Sequence, residues 1–257
     1  MIPRFYCPPA PHCILSPGAQ IDLPAAAAHH ALRVLRMQAG DPLMLFDGQG
    51  GEWQAELVGK VGVGGTARVA LCEFIDGDNE SPLSLTLVQG LPAGDKMDWV
   101  IEKCVELGVT AIQPIAAKRS VIKLSAERMT RRVAHWNAVA VAACEQCERN
   151  RVPTVAPILD LPQYLACAKL QNEAQNGTRE ALWLMLAPGA QGVLRILDKP
   201  TGPVGVAIGP EGGWEEGEMR AAQAAGFKTV QLGPRVLRTE TAGMAVLAAM
   251  QSLWGDF

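Results

Sequence analysis

The sequence lacks any run of about 18 apolar residues, so no helix is expected to span a membrane. Its opening, Met1-Ile2-Pro3-Arg4-Phe5, carries no apolar segment of the kind that directs secretion, and no signal peptide is expected. A paired cysteine framework is missing too: the seven cysteines are odd in number and scattered, which points to a cytoplasmic chain with reduced thiols. Cys144-Glu145-Gln146-Cys147 has the spacing of a redox or zinc motif, but no second pair accompanies it. It lies on a helical stripe of Met129, Val133, Trp136, Ala140, Ala143 and Cys147, so core packing is the expected role of these sulfurs. His29-His30 has no cysteine or carboxylate beside it, and no metal site is expected.

Nor is there a basic excess. The 26 Asp and Glu outnumber the 23 Lys and Arg, and a net charge of −3 argues against a polyanionic partner. The distribution is more informative. Residues 1–80 hold five cations and nine carboxylates, whereas residues 81–257 hold 18 and 17. Within the second stretch Lys118, Arg119, Lys123, Arg128, Arg131 and Arg132 crowd together, opposed only by Glu127. Such a run is either a solvated face or a contact to a nucleic-acid backbone.

What is present fits two domains, because 257 residues with 49% hydrophobic content can bury more than one core. Residues 23–37 read as a helix, opened by Leu23-Pro24 and closed before Gly40. Strand-like segments follow at 43–46, 52–58 and 66–74, separated by glycine-rich turns at 47–51 and 62–65. Short strands at that spacing predict a small β-barrel with one helix. The polar segment 76–82 is the best linker, giving domains 1–77 and 78–257. Beyond it the pattern becomes α/β, with apolar strands at 84–89, 111–115, 154–158, 181–187, 204–208 and 229–232 and helices between them. Uninterrupted apolar strands alternating with helices predict a parallel sheet covered on both faces. The last helix, 239–254, carries no charge between 242 and 251, so it is either central in its own domain or buried between two copies. A homodimer is the expected arrangement.

Ligands of a parallel sheet bind beyond the carboxyl ends of its strands. Three strands here end in loops with glycine: Ala187-Pro188-Gly189, Gly209-Pro210-Glu211-Gly212-Gly213, and the segment from Gly233-Pro234-Arg235 to Thr241. Glycine lets a flat ring approach the backbone. The middle loop carries neither Gly-x-Gly-x-x-Gly nor Gly-Lys-Ser/Thr, which excludes a dinucleotide fingerprint or a P-loop there. The first two loops also lack lysine, so a pocket of backbone donors and acceptors suits a neutral purine better than a polyphosphate. Arg235 and Arg238 put positive charge where a substrate would face the third loop.

The segment Leu232-Gly233-Pro234-Arg235-Val236-Leu237-Arg238-Thr239-Glu240-Thr241-Ala242, with the 209–213 loop upstream, resembles the SPOUT class of methyltransferases and, within it, the RsmE family. The likeness extends to Pro3-Arg4-Phe5, to His29-His30 through Arg33-Val34-Leu35-Arg36, and to Phe46-Asp47-Gly48. It continues through Gln89 with Lys96-Met97-Asp98, Glu106-Leu107-Gly108, and Glu145-Gln146-Cys147 with Arg149-Asn150, nearly the whole chain. Glu148 departs from it, standing where the family more often has glycine. The resemblance implies a PUA-like RNA-binding barrel followed by an α/β domain with a C-terminal trefoil knot, acting as a homodimer. It implies S-adenosylmethionine as cofactor, held by Leu186, Ala187, Ile208, Gly209, Pro210, Glu211, Gly212, Gly213, Leu232, Gly233, Leu237, Arg238 and Thr239. The implied reaction is methylation of N3 of uracil-1498 in 16S ribosomal RNA, with the assembled small subunit as the expected form of the substrate.

That nitrogen carries a proton at neutral pH, so its anion must be formed and stabilised. Arg238 is the expected electrostatic support, and Glu211 or Glu240 the expected proton acceptor; Glu240 serves equally well as a first-turn carboxylate of the last helix. Arg4, Arg33, Arg36 and Arg119 are the expected RNA contacts. Two rivals are a SPOUT ribose 2′-O-methyltransferase, which usually carries a Ser-Leu-Asn-like stretch where this chain has Arg238-Thr239-Glu240-Thr241, and a non-catalytic RNA-binding assembly factor, for which the 209–213 loop would have no purpose.

Overall fold

The computed structural model describes residues 2–9, 16–61, 66–77, 79–121, 125–174 and 181–257; the turn expected at 62–65 and Lys123 of the basic run lie outside them. The chain divides into two compact units, Met1–Glu80 with Cys144–Val152, and Ser81–Ala143 with Pro153–Phe257.

The first unit is built on a β-meander. Strands β3 (Pro42–Phe46), β4 (Glu52–Val61) and β5 (Thr66–Ile75) pair antiparallel, β1 (Arg4–Tyr6) joins β3 in parallel, and β2 (Gln20–Asp22) closes the far side, giving the order β1-β3-β4-β5-β2. Period-2 alternation makes one face: Ala67, Val69 and Leu71 of β5 are buried and join Phe5, Leu43, Leu45 and Leu57 in a core. The expected helix at 23–37 is shorter and changes pitch. An α-helix, α1 (Ala25–His29), runs into a π-helical turn at His30–Val34, and Arg36 follows with φ of 55°.

The segment 144–152 belongs to this unit. Cys144 is fully buried there, and burial pushes its thiol up to about 12 against the opposing pull of Arg149. A sulfur in that state packs and does not react. Glu148, just past the end of α3 (Ala126–Cys147), has φ of 64°, and its carbonyl accepts from Asn79 Nδ2 at 3.1 Å. A left-handed residue commonly follows a helix terminus and favours glycine, which explains what the family more often places there. Relief of the left-handed strain is worth roughly 1–2 kcal/mol, and the extra chain entropy of glycine returns roughly 0.5–1. Glu148→Gly is therefore expected to raise unfolding stability by about 0.5–1 kcal/mol in urea titrations; a loss would mean that the Glu148 side chain contributes more than its backbone costs.

The second unit is α/β. Seven strands, all parallel, lie in the order β10-β12-β9-β11-β6-β7-β8: β6 (Leu85–Gly90), β7 (Ala111–Ile115), β8 (Thr154–Val155), β9 (Leu182–Leu186), β10 (Gly192–Val193), β11 (Val204–Ile208) and β12 (Lys228–Gln231). Every residue of the central strand β11 is buried, as an uninterrupted apolar run requires when helices cover both faces. Helices α2 (Lys96–Glu106), α3, α4 (Leu161–Ala174), α5 (Glu216–Ala224) and α6 (Thr239–Trp254) complete the unit. No helix among the described residues is long and apolar enough to cross a membrane.

Helix α6 packs beside α2 and over β6 and β11. One face, including Ala242, Val246, Leu247, Met250 and Trp254, is buried, and the opposite face is only partly covered. Gln251 anchors the far end: its Nε2 donates to Leu107 O at 2.8 Å and its Oε1 accepts from Ser81 Oγ at 2.9 Å.

Candidate active site

Register brings the three glycine-containing loops together. Ile208 at the end of β11 stands beside Gln89 of β6, and Leu186 at the end of β9 beside Val230 of β12. The loops that leave β9, β11 and β12 therefore emerge side by side at the carboxyl edge, where ligands of parallel sheets sit. They wall one cavity of about 600 Å³. Each residue that the resemblance implies for the cofactor, from Leu186 to Thr239, lies on its lining.

The middle loop is held rigidly. Gly213 has φ of 66°, and a Cβ at Gly209 would lie 3.1 Å from the Gly213 Cα, so glycine at these points lets the loop close on itself without strain or crowding. Gly213 N donates to Pro210 O at 2.8 Å, and Arg119 Nη1 donates to Gly212 O at 2.9 Å. Behind the loop Thr239 Oγ1 donates to Gly209 O at 2.6 Å while accepting from Gln89 Nε2 at 2.8 Å. Thr239 and Gln89 are both buried. The loop continues into α5, capped by reciprocal bonds between Glu215 and Glu218, with Glu216 in its first turn.

The candidate acids and base helpers are placed differently from one another. Arg238 precedes α6, is exposed at the cavity, and makes no ion pair among the described residues. Glu211 also lines the cavity, but its carboxylate accepts from Lys96 Nζ at 2.8 Å and from Ala93 N at 3.1 Å. Partial burial pushes its carboxyl up, and the Lys96 ammonium with the backbone donors outweighs that, holding Glu211 below its ordinary value. Glu240 is off the lining and buried. Its Oε2 lies 3.6 Å from Lys96 Nζ and has no hydrogen-bond partner among the described residues. Lys96 thus bridges both carboxylates, and Glu211 in turn raises its pKa.

Lys96 and Trp214 are the two polar-bearing cavity residues of most consequence that were not among the candidate site residues. Lys96 stood within a motif of the resemblance; Trp214 had only its place after Gly213. The Trp214 indole Nε1 is buried and without a partner among the described residues, leaving one donor for a bound group. Volume, glycine-shaped walls and this donor fit a drug-sized ligand, for which pockets run about 300–1,000 Å³.

The expected RNA contacts separate. Arg119 is on the cavity wall beside Gly212. Arg33 and Arg36 are exposed on the first unit. The expectation for Arg4 is corrected: its side chain is 6% exposed, paired with Glu52, bonded to Asn150 Oδ1 at 2.6 Å, and stacked over Phe46. An arginine so enclosed holds the first unit together and offers no surface charge. The basic run is also partly spent, since Lys118 pairs with Glu215 and Arg131 with Glu127.

Comparison with known proteins decides the family. Residues 79–251 match the RNA methyltransferase domain model, and residues 23–60 match the RNA methyltransferase PUA domain model. The chain is 37% identical to ribosomal RNA small subunit methyltransferase E of Synechocystis, over 91% of this chain and 74% of that protein. It is 32% identical to the Bacillus subtilis protein of the same name, over 86% of each. The chain belongs to the ribosomal RNA small subunit methyltransferase E family. A crystal structure of the Neisseria gonorrhoeae family member bound to S-adenosylmethionine aligns over the full length of both chains, at 40% identity with a TM-score of 0.86. A Legionella pneumophila structure described as a methyltransferase with bound S-adenosylmethionine aligns equally fully, at 32% identity and 0.89.

Proposed function

We propose that this chain methylates N3 of uracil-1498 in 16S ribosomal RNA with S-adenosylmethionine as methyl donor, acting on the small ribosomal subunit in the cytoplasm. The observation that carries this reading is the single cavity walled by three strand-end loops with an uncommitted arginine, Arg238, at its rim. Leu186 to Pro188, Gly209 to Gly213, Leu232, Gly233, Leu237 and Thr239 would hold the cofactor, Arg238 contributing only its backbone, with Trp214 Nε1 as an additional donor. When bound, S-adenosylmethionine supplies an electrophilic methyl on a sulfonium sulfur.

The remaining work falls to the protein. A uracil drawn out of its stack must lose its N3 proton as the new N–C bond forms. Arg238 would stabilise the developing negative charge on O2 or O4. Lys96 ion-pairs with both carboxylates, but only Glu211 lines the cavity, whereas Glu240 is buried off its lining; this favours Glu211 as proton acceptor, with Lys96 holding it ionised. Arg119 fixes the Gly212 carbonyl and remains near the entering RNA.

The same reading includes two finer points of fold. The five-stranded first unit is taken as a PUA-like barrel. β12 stands between β10 and β9, and the chain then returns to α6 against β6 and β11, which supports a trefoil knot in the C-terminal third. A homodimer is supported by the partly covered apolar face of α6 and by the exposure of Trp99, Leu253 and Phe257. Nucleoside analysis of 16S rRNA after incubation with the protein and S-adenosylmethionine tests the reaction, on isolated RNA and on small subunits. N3-methyluridine is expected; a 2′-O-methylated nucleoside, or no methylation of either substrate, would overturn it.

A further inference from the structure

The turn after α1 exposes side chains that helical periodicity would bury. Ala27 and Ala28 of α1 and Ala31 of the turn form one buried stripe, and continuing at 3.6 residues per turn would carry Val34 and Leu35 inward next. They are instead 59% and 44% exposed. The cause is local: Leu35 N donates to His30 O at 2.9 Å, a π-type bond whose wider turn rotates these positions outward. The turn is then closed by Arg36 in the left-handed region, where glycine would be unstrained.

This is a mounted feature, not a frayed end. Ala31 and Met37 are buried on either side of it in the core of the first unit. Met37 N donates to Ala31 O at 3.0 Å, and Gln38 Nε2 donates to Arg36 O at 3.0 Å. Between those anchors the four consecutive residues Arg33, Val34, Leu35 and Arg36 are all exposed. The guanidinium groups of Arg33 and Arg36 make no ion pair or hydrogen bond among the described residues.

The charge around it has one sign. Residues 1–80 are acidic overall, yet residues 23–40 contain two arginines, two histidines and no carboxylate. The flanking carboxylates are engaged: Asp22 with Arg68, and Asp41 with Gln38 N. Glu145 accepts from Tyr6 N on the His30 side. A cation on each side of an exposed aliphatic pair matches a nucleic-acid strand, whose phosphates are anionic and whose bases present flat apolar faces.

Building on the RNA-methylating function proposed above, we infer that the Arg33–Arg36 turn is an RNA-gripping wedge: Arg33 and Arg36 take backbone phosphates, and Val34 and Leu35 press against an unstacked base. Aliphatic side chains inserted between bases are an established means of unstacking a nucleic-acid helix. The π turn and the strained Arg36 are what hold the aliphatic pair outward. Strain retained at an exposed position is expected where it serves binding.

The full-length protein and a set of small-subunit rRNA hairpins, each carrying 2-aminopurine at a different position, test this. Arg33→Gln with Arg36→Gln is expected to weaken binding and to reduce the slope of log affinity against log salt by roughly two, one per lost phosphate contact. Val34→Ser with Leu35→Ser is expected to keep that slope, to weaken binding about fivefold to a hundredfold, and to lose the rise in 2-aminopurine fluorescence that marks unstacking. Arg36→Gly separates strain from function: it is expected to melt at the wild-type temperature or higher while binding RNA more weakly. Wild-type salt slope in the double arginine variant, wild-type fluorescence in the double serine variant, or a lower melting temperature in Arg36→Gly would overturn the inference. S-adenosylmethionine titration of each variant is expected to match wild type, since the cavity is in the other unit. Failure of the wild-type protein to bind the hairpins or small subunits at all would overturn the proposed function itself along with the wedge.

Discussion

Arg238→Ala is expected to lower turnover by about two to three orders of magnitude while leaving S-adenosylmethionine affinity close to wild type. The magnitude follows from what the residue would do. Removing one donor that meets developing oxyanion charge costs about 2.7–4 kcal/mol of transition-state stabilisation. Arg238 is suited to that role because it faces the cavity and has no ion pair among the described residues, so its charge is not already neutralised. Its removal leaves the loop carbonyls and the Trp214 donor untouched, which is why cofactor binding should persist. Single-turnover methylation and calorimetric titration separate the two effects. Arg238→Lys should recover part of the rate, since a point charge supports the anion without the planar fork. If Arg238 instead serves a salt bridge between two copies of the chain, the alanine variant will sediment differently from wild type at unchanged turnover, and the catalytic assignment fails.

The α/β architecture was legible because its signal is long-range and redundant. β11 is an unbroken apolar run, α2 carries a clear helical stripe and α6 a long uncharged stretch, so tertiary context had nothing to override. The three loops were legible because glycine and proline punctuate the strand ends. Three-residue strands such as β1 and β2 carry too short a pattern to show a period, and they were missed. The helix at 23–37 misled for a different reason: composition gives no sign of a π turn, which is fixed by where Met37 enters the core and by the left-handed Arg36. Arg4 misled because an arginine near a terminus reads as surface charge, while its partners Glu52 and Asn150 are 48 and 146 residues away. Lys96 carried a family motif but no chemistry until the fold brought Glu211 and Glu240 to it. Pairings of that kind are set by topology, which spacing does not encode.

Thr239 is the residue on which loop and helix depend together. Thr239→Val keeps shape and branching but removes the hydroxyl that donates to Gly209 O and accepts from Gln89 Nε2. Gln89 is fully buried and its Oε1 already lacks a partner among the described residues, so its amide would retain only the Gly90 carbonyl at 2.9 Å. A buried polar group left unmatched costs about 1–3 kcal/mol, and part of that appears as lost stability. The rest appears at the site, because the Gly209 carbonyl fixes the floor of the loop and a misplacement of about 1 Å can cost a hundredfold in a positioned reaction. Thr239→Val is therefore expected to unfold at a lower temperature, to bind S-adenosylmethionine at least about tenfold more weakly, and to lose more turnover than that affinity accounts for. Thr239→Ser restores the hydroxyl and should recover most of both properties, which an effect of side-chain volume alone would not do. A valine variant with wild-type cofactor affinity would mean that the loop holds its shape through the Pro210–Gly213 turn and the Arg119 contact alone, and that the Gln89–Thr239–Gly209 chain serves only to seat α6 on the sheet.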